Sequence, residues 1–349
     1  LGFLLFGRNF IERGFAQINT DLNPHSRKSL SILREKGGKH NRQARRIMGK
    51  LENLKGCGTA MVTPFKDDGS LDERALAGLV DWQIREGIHF LVPCGTTGES
   101  VTLTHQEYLA VVRITVQTSA GRVPVVAGAG GNNTAKVIEL IKELEKLGVD
   151  GILSVSPYYN KPTQEGIYQH YRALASSAAL PLIVYNVPGR TSSNILPDTL
   201  LRLAEIPNII GVKEASGDIS QIGEICTRAP EGFRIFSGDD SLTLPVIALG
   251  GHGIISVCSN EVPGMMSRFA EACLSGNWDE ARWLNRKLYP LMKINFVETS
   301  PIPVKAALAM MGRIKEVYRL PLVKISDGAR ARLSAVLSSL NLLAGQKLG

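Results

Sequence analysis

The sequence predicts an α/β chain folded as a (β/α)8 TIM barrel with a C-terminal helical appendage. Three observations carry this reading. Short apolar runs alternate with amphipathic stretches at a spacing of about 20–35 residues, which is the signature of βαβ units around a parallel sheet. The runs are apolar almost throughout, as strands buried on both faces are. Eight such units span about 220 residues, close to the usual length of a closed barrel. An open doubly wound sheet is the alternative. It calls for a GxGxxG turn after its first strand, and Gly56-Cys57-Gly58 does not continue that way.

The units follow in order. The strand candidate Gly58–Val62 precedes a helical pattern over Asp72–Glu86, and Phe90–Pro93 precedes Thr104–Thr118. Val123–Ala127 leads to Thr134–Leu147, and Gly151–Val155 to Gln164–Ala178. Leu182–Tyr185 leads to Pro197–Ala204, and Ile209–Val212 to Ile219–Thr227. Arg234–Phe236 leads to Leu242–Leu249, and Gly253–Val257 to Val262–Leu274. After Gly276 the pattern is helical only, over Asp279–Phe296, Pro303–Met311 and Asp327–Leu342. No Gly- or Ser-rich linker intervenes, so residues 277–349 are expected to pack on a catalytic barrel spanning 48–276.

Composition bounds the function classes. The chain has 349 residues, 44% hydrophobic and 21% charged, within the range of ordinary globular proteins. No apolar run reaches the length of a membrane span. Cys57, Cys94, Cys226, Cys258 and Cys273 are scattered without a CxxC. They indicate neither a zinc site nor a disulfide framework, and they suit a reducing cytoplasm. The net charge of +8 is concentrated at the front, where residues 1–47 hold ten Lys/Arg against Glu12, Asp21 and Glu35. The body is nearly neutral, so the basic balance gives no reason to expect a nucleic-acid partner. Residues 1–47 loosely resemble a transit peptide and make a poor secretory signal. The preferred reading takes Met48 as the natural start and residues 1–47 as a disordered upstream or non-native extension.

In such a barrel the active site lies at the C-terminal ends of the strands. The sixth apolar run ends on Lys213 and Glu214. Lysine is rarely buried unpaired. Where it is buried, the neutral amine is favoured, and that amine can form a Schiff base with a carbonyl. The plainer alternative is a lysine whose stem packs while its head reaches solvent. The second run ends in Gly95-Thr96-Thr97-Gly98-Glu99-Ser100, whose backbone N–H groups and paired hydroxyls suit a carboxylate; an ordinary turn is the alternative. The fourth ends in Pro157-Tyr158-Tyr159-Asn160-Lys161-Pro162 and the fifth in Tyr185-Asn186-Val187-Pro188-Gly189-Arg190-Thr191. Tyr185 can relay a proton and Arg190 can fork a carboxylate, although either residue alone is more often packing or surface charge. His252 lies between glycines with no second ligand at metal spacing, so it reads as structural.

Taken together these segments resemble the dihydrodipicolinate synthase family, in the pyruvate-dependent class I aldolase group. The motifs are VTPF at 62–65, GTTGES at 95–100, PYYNKPTQEG at 157–166, YNVPGRT at 185–191, GVKEASGD at 211–218, SGDD at 237–240 and GGHGIISV at 250–257. The resemblance runs from about Gly56 to Leu343. It implies that Lys213 forms the Schiff base with pyruvate and that Tyr185, Thr96 and Tyr159 relay protons. Tyr159 would reach into a neighbouring subunit's site. Thr97 would bind the pyruvate carboxylate, and Ile255 would line the pocket through its backbone. Arg190 would bind the carboxylate of L-aspartate-4-semialdehyde. The product would be the tetrahydrodipicolinate precursor of lysine and diaminopimelate, formed without metal or organic cofactor by a homotetramer built as a dimer of dimers.

Two alternatives on the same scaffold are an N-acetylneuraminate lyase-like 2-keto acid aldolase and a non-catalytic pyruvate sensor. The lyase pattern has a small or apolar residue where this chain has Arg190. A lysine effector site in relatives maps onto Ser100, Val101, His105, Tyr108, Asn132, Lys136 and Tyr158. Lysine-inhibited relatives carry a glutamate at the position of Lys136, and a cation there repels an ammonium ligand. Feedback by lysine is therefore expected to be weak or absent.

Overall fold

The computed structural model describes residues 49–343. The expected disorder of residues 1–47 lies outside the described residues. The strands are β1 (Gly56–Ala60), β2 (Phe90–Val92), β3 (Val126–Gly128), β4 (Gly151–Val155), β5 (Leu182–Asn186), β6 (Ile209–Glu214), β7 (Arg234–Ser237) and β8 (Gly253–Ser256). All pair in parallel in the order β2-β1-β8-β7-β6-β5-β4-β3. The two ends of the sheet meet through a parallel bridge between Leu91 and Val125. There the Leu91 N–H donates to the Pro124 carbonyl at 3.0 Å and the Gly128 N–H to that of Pro93 at 2.9 Å. The result is a (β/α)8 barrel.

Each strand feeds a helix on the outside: α1 (Glu73–Arg85), α2 (His105–Ser119), α3 (Thr134–Leu147), α4 (Gln164–Ser177), α5 (Pro197–Ala204), α6 (Ile219–Arg228), α7 (Thr243–Ala248) and α8 (Pro263–Leu274). Local signals set the helix starts. Thr104 and Glu107 form a reciprocal capping box on α2, and Asp218 accepts from the Ser220 and Gln221 N–H groups at α6. Three further helices follow, α9 (Trp278–Ile294), α10 (Ile302–Met310) and α11 (Asp327–Ser339). Helix α10 is buried from Ile302 to Leu308, as a helix apolar on nearly every face must be. Among the described residues no helix is long and apolar enough to cross a membrane.

The barrel interior is filled by Phe90, Val126, Leu153, Ile183, Phe236 and Ile255, with Leu51 and Leu54 in the same cluster. Phe90 and Phe236 meet edge to face at 5.5 Å. Gly58 makes room for this pair, because a Cβ there would lie 2.2 Å from the Phe90 ring. Most element ends fall within two residues of the sequence reading. Strand β3 begins at Val126, three residues later than expected; Pro124 has no N–H to give the ladder. Strand β6 runs two residues past its apolar stretch, through Lys213 and Glu214, both buried and paired in the sheet.

Candidate active site

Parallel register places Lys213 between Tyr185 on β5 and Phe236 on β7. Lys213 is 5% exposed and Tyr185 7% exposed. The Lys213 Nζ sits 4.5 Å from the Tyr185 ring centroid. Burial pushes the amine down to about 8; the Asp240 carboxylate opposes this and the Arg190 charge adds to it. Roughly a tenth of the amine is then neutral at pH 7, against well under a thousandth for an ordinary lysine. Asp240 is itself buried, and its Oδ2 accepts from the Val257 and Cys258 N–H groups at 3.1 and 3.0 Å. Burial raises its pKa, against the hydrogen bonds it receives. Gly238 leaves space for the lysine stem, since a Cβ there would stand 3.1 Å from the Lys213 Cε and 2.6 Å from the Ala215 Cβ.

The Tyr185 ring and Thr96 share the wall of one cavity, and Thr96 is near enough to act on the tyrosine hydroxyl. Burial raises its pKa, while the Arg190 charge and the Thr96 side chain work the other way. Thr96 and Thr97 open a short 3-10 turn, Thr96–Gly98, after β2; Thr96 is exposed and Thr97 buried. Arg190 lies on a single helical turn, Pro188–Thr191, and its Nη2 donates to the Ser300 carbonyl at 3.2 Å. Below it a buried amide network holds the mouth of β5 and β6. Asn186 donates to both Glu214 oxygens, at 3.2 and 3.0 Å, and the Ser216 N–H donates to Glu214 Oε1 at 2.7 Å. Burial lifts the Glu214 carboxyl against these bonds.

A cavity of about 410 Å³ opens beside this constellation, with Thr96, Tyr158, Tyr185 and Arg190 in its wall; Lys213, Thr97 and Ile255 do not line it. Ile255 is buried on β8, in the same core cluster as Tyr185 and Phe236. Tyr159 stands apart from these side chains. It is 85% exposed, with a φ of 73° in the loop after β4. Of the residues mapped to an effector site, Ser100, Val101, Tyr108 and Tyr158 also border the cavity. His105 pairs with Glu143 at 2.7 Å, and Lys136 is exposed on the first turn of α3. His252 accepts from the Ile235 N–H through Nδ1 at 3.2 Å, and burial lowers it to about 4. It is a neutral structural residue. Among the described residues no cluster of His, Cys, Asp and Glu could hold a metal ion.

The SGDD motif carries no local sign of a role for Gly238 or Asp240. The fold sets Gly238 against the Lys213 stem and brings the Asp240 charge to bear on its amine. Ser300 carried no local signal at all; it meets Arg190 across 110 residues of chain.

Fold and site define the class first: a (β/α)8 barrel with a desolvated lysine amine at the C-terminal mouth of its sheet. The model of the Dihydrodipicolinate synthetase family matches residues 53–340, and the chain belongs to that family. A protein named 4-hydroxy-tetrahydrodipicolinate synthase from Koribacter versatilis (strain Ellin345) is 55% identical over 291 residues, 83% of this chain and 97% of the relative. A crystal structure of dihydrodipicolinate synthase from Aquifex aeolicus superposes with a TM-score of 0.82 at 42% identity, covering 84% of this chain and 100% of that one. The chloride-inhibited dihydrodipicolinate synthase from Acinetobacter baumannii, complexed with pyruvate, gives 0.82 at 42% identity over 83% of this chain and 100% of its own.

Proposed function

We propose that this chain is a 4-hydroxy-tetrahydrodipicolinate synthase. It condenses pyruvate with L-aspartate-4-semialdehyde in lysine and diaminopimelate biosynthesis. The observation that carries the reading is the desolvated Lys213 amine beside Tyr185, with Thr96 near the tyrosine.

The neutral amine attacks the pyruvate keto carbon, and water leaves to give the imine. Tyr185 and Thr96 move the protons of these steps, and Thr97 holds the pyruvate carboxylate. Loss of a methyl proton gives the enamine, whose carbon attacks the semialdehyde carbonyl. The aldehyde oxygen becomes the 4-hydroxyl. The amino group of the semialdehyde then closes on the imine carbon and releases Lys213. The balance is one water lost per condensation. Arg190 holds the carboxylate of the second substrate, as a guanidinium fork suits it. The Ile255 backbone lines the pyruvate pocket. Each step draws on an amine, a proton relay and a cation, all supplied by side chains.

Tyr159 completes the relay in a neighbouring subunit's site. Its exposure in the single chain supports that reading. That role needs at least a dimer; the proposed assembly is a homotetramer, by likeness to the family, with barrel 48–276 and helices 277–349 in each copy. The free, mostly buried thiols support a cytoplasmic location. Lysine is a weak inhibitor or none, because Lys136 brings a cation to the ammonium's place.

The test is a coupled assay of pyruvate with aspartate semialdehyde, run beside cleavage of N-acetylneuraminate. Turnover of the first pair alone supports the synthase. Preferential turnover of the second would favour the lyase, and imine trapping without any turnover would favour a sensor.

A further inference from the structure

A buried ion pair joins helix α10 to the residue that ends the turn carrying Thr96 and Thr97. Lys305 on α10 donates to Glu99 Oε1, and the two side chains are 0% and 1% exposed. This is the carboxylate's only hydrogen-bond partner among the described residues, and Oε2 has none. The amine is enclosed by aromatic faces, 4.4 Å from the Phe65 ring centroid and 5.3 Å from that of Tyr318. Such a site gives the charge no route to water, so each member depends on the other.

Glu99 is no ordinary anchor point. It has a left-handed backbone, φ 51°, and its N–H donates to the Thr96 carbonyl at 3.2 Å. Its own carbonyl accepts from the Thr102 N–H and hydroxyl, each at 3.0 Å. It therefore joins two consecutive 3-10 turns, Thr96–Gly98 and Ser100–Thr102. The far turn is held from the same direction: Arg319 donates to the Thr102 carbonyl at 2.9 Å and stacks 4.3 Å from the Phe65 centroid. A non-glycine residue in this conformation persists where its surroundings enforce it. Here the side chains that meet the two turns, Lys305 and Arg319, come from the C-terminal region.

We propose that Lys305 is a positioning residue for the condensation, holding Glu99 so that Thr96 and Thr97 stand in register with Tyr185 and Lys213. The C-terminal helices are then part of the catalytic apparatus, and the Ser300 carbonyl on Arg190 is a second thread from the same segment. This inference rests on the synthase reading above.

The test compares K305M, E99A and E99Q with wild type in steady-state turnover and in borohydride trapping of the pyruvate imine, with melting recorded for each. A displacement of about 1 Å at a reacting group can cost about 100-fold. K305M and E99A are expected to raise KM for pyruvate and to slow trapping by about 10- to 100-fold. E99Q keeps an acceptor for the amine but removes its counter-charge, so it should fall between wild type and E99A. If K305M does not fold, the contrast between E99A and E99Q carries the test. Lower melting with kinetics unchanged in K305M or E99A would reduce the pair to a structural role and overturn the proposal. So would equal damage in E99Q and E99A. Wild-type turnover reads the synthase assignment separately, since the inference is read only from variant-to-wild-type ratios.

Discussion

Replacing Lys213 by methionine should abolish activity and at the same time stabilise the fold. The amine has an ordinary value of 10.5 and stands at about 8 in the folded chain, with burial the largest cause. A gap of that size corresponds to about 3 kcal/mol. The sign follows from proton linkage. The folded pKa lies below the unfolded one, so between pH 8 and 10.5 the unfolded chain binds more protons, and wild-type stability rises with pH across that window. Below it, the folded chain carries the full cost of a desolvated ammonium; above it, both states are neutral. Methionine keeps most of the stem and carries no charge, so its advantage is greatest at and below neutral pH. Asp240 loses a cation in the variant, which places the net gain at about 1–3 kcal/mol. Urea denaturation of both proteins, at equal protein concentration and at pH 7 and pH 10, reads it directly. A variant less stable than wild type at pH 7, or a difference that does not shrink toward pH 10, would refute the reasoning that the amine is held in a desolvated site.

The other perturbations are more local. Arg190→Ala should raise KM for the semialdehyde at least about tenfold and leave KM for pyruvate within about twofold; equal effects on both would count against the arginine's assignment. Tyr185→Phe removes the proposed relay hydroxyl and should lower kcat by about 100- to 10,000-fold, with folding checked by circular dichroism. Gly238→Ala puts a Cβ 3.1 Å from the Lys213 Cε, and should slow imine trapping by at least about tenfold. L-Lysine titrated into the coupled assay should inhibit weakly or not at all; a sub-millimolar inhibition constant would remove the argument from Lys136.

The barrel was legible because its strands are continuous apolar runs and its helices are amphipathic, two periods that local sequence displays. Lys213 was legible for a related reason, since a lysine closing an apolar run stands out against its neighbours. The strand end was less so. β6 continues through Lys213 and Glu214 because Tyr185, Phe236 and Asn186 pair with them from adjacent strands, and no local pattern reports those partners. The same holds for Gly238, whose missing side chain matters only once β7 lies beside β6. Lys305 shows the limit most sharply. It sits in an apolar helix, and the carboxylate that explains it is 206 residues away. Tyr159 is a different case, because its proposed role depends on a second copy of the chain.

The chemistry turns on the Lys213 amine, and covalent trapping reads it without an intermediary. The protein is incubated with pyruvate, reduced with borohydride, digested, and its peptides are mapped by mass. The account predicts a single reduced pyruvate adduct on Lys213. An adduct confined to another lysine, or none at all from protein that turns over both substrates, would contradict it.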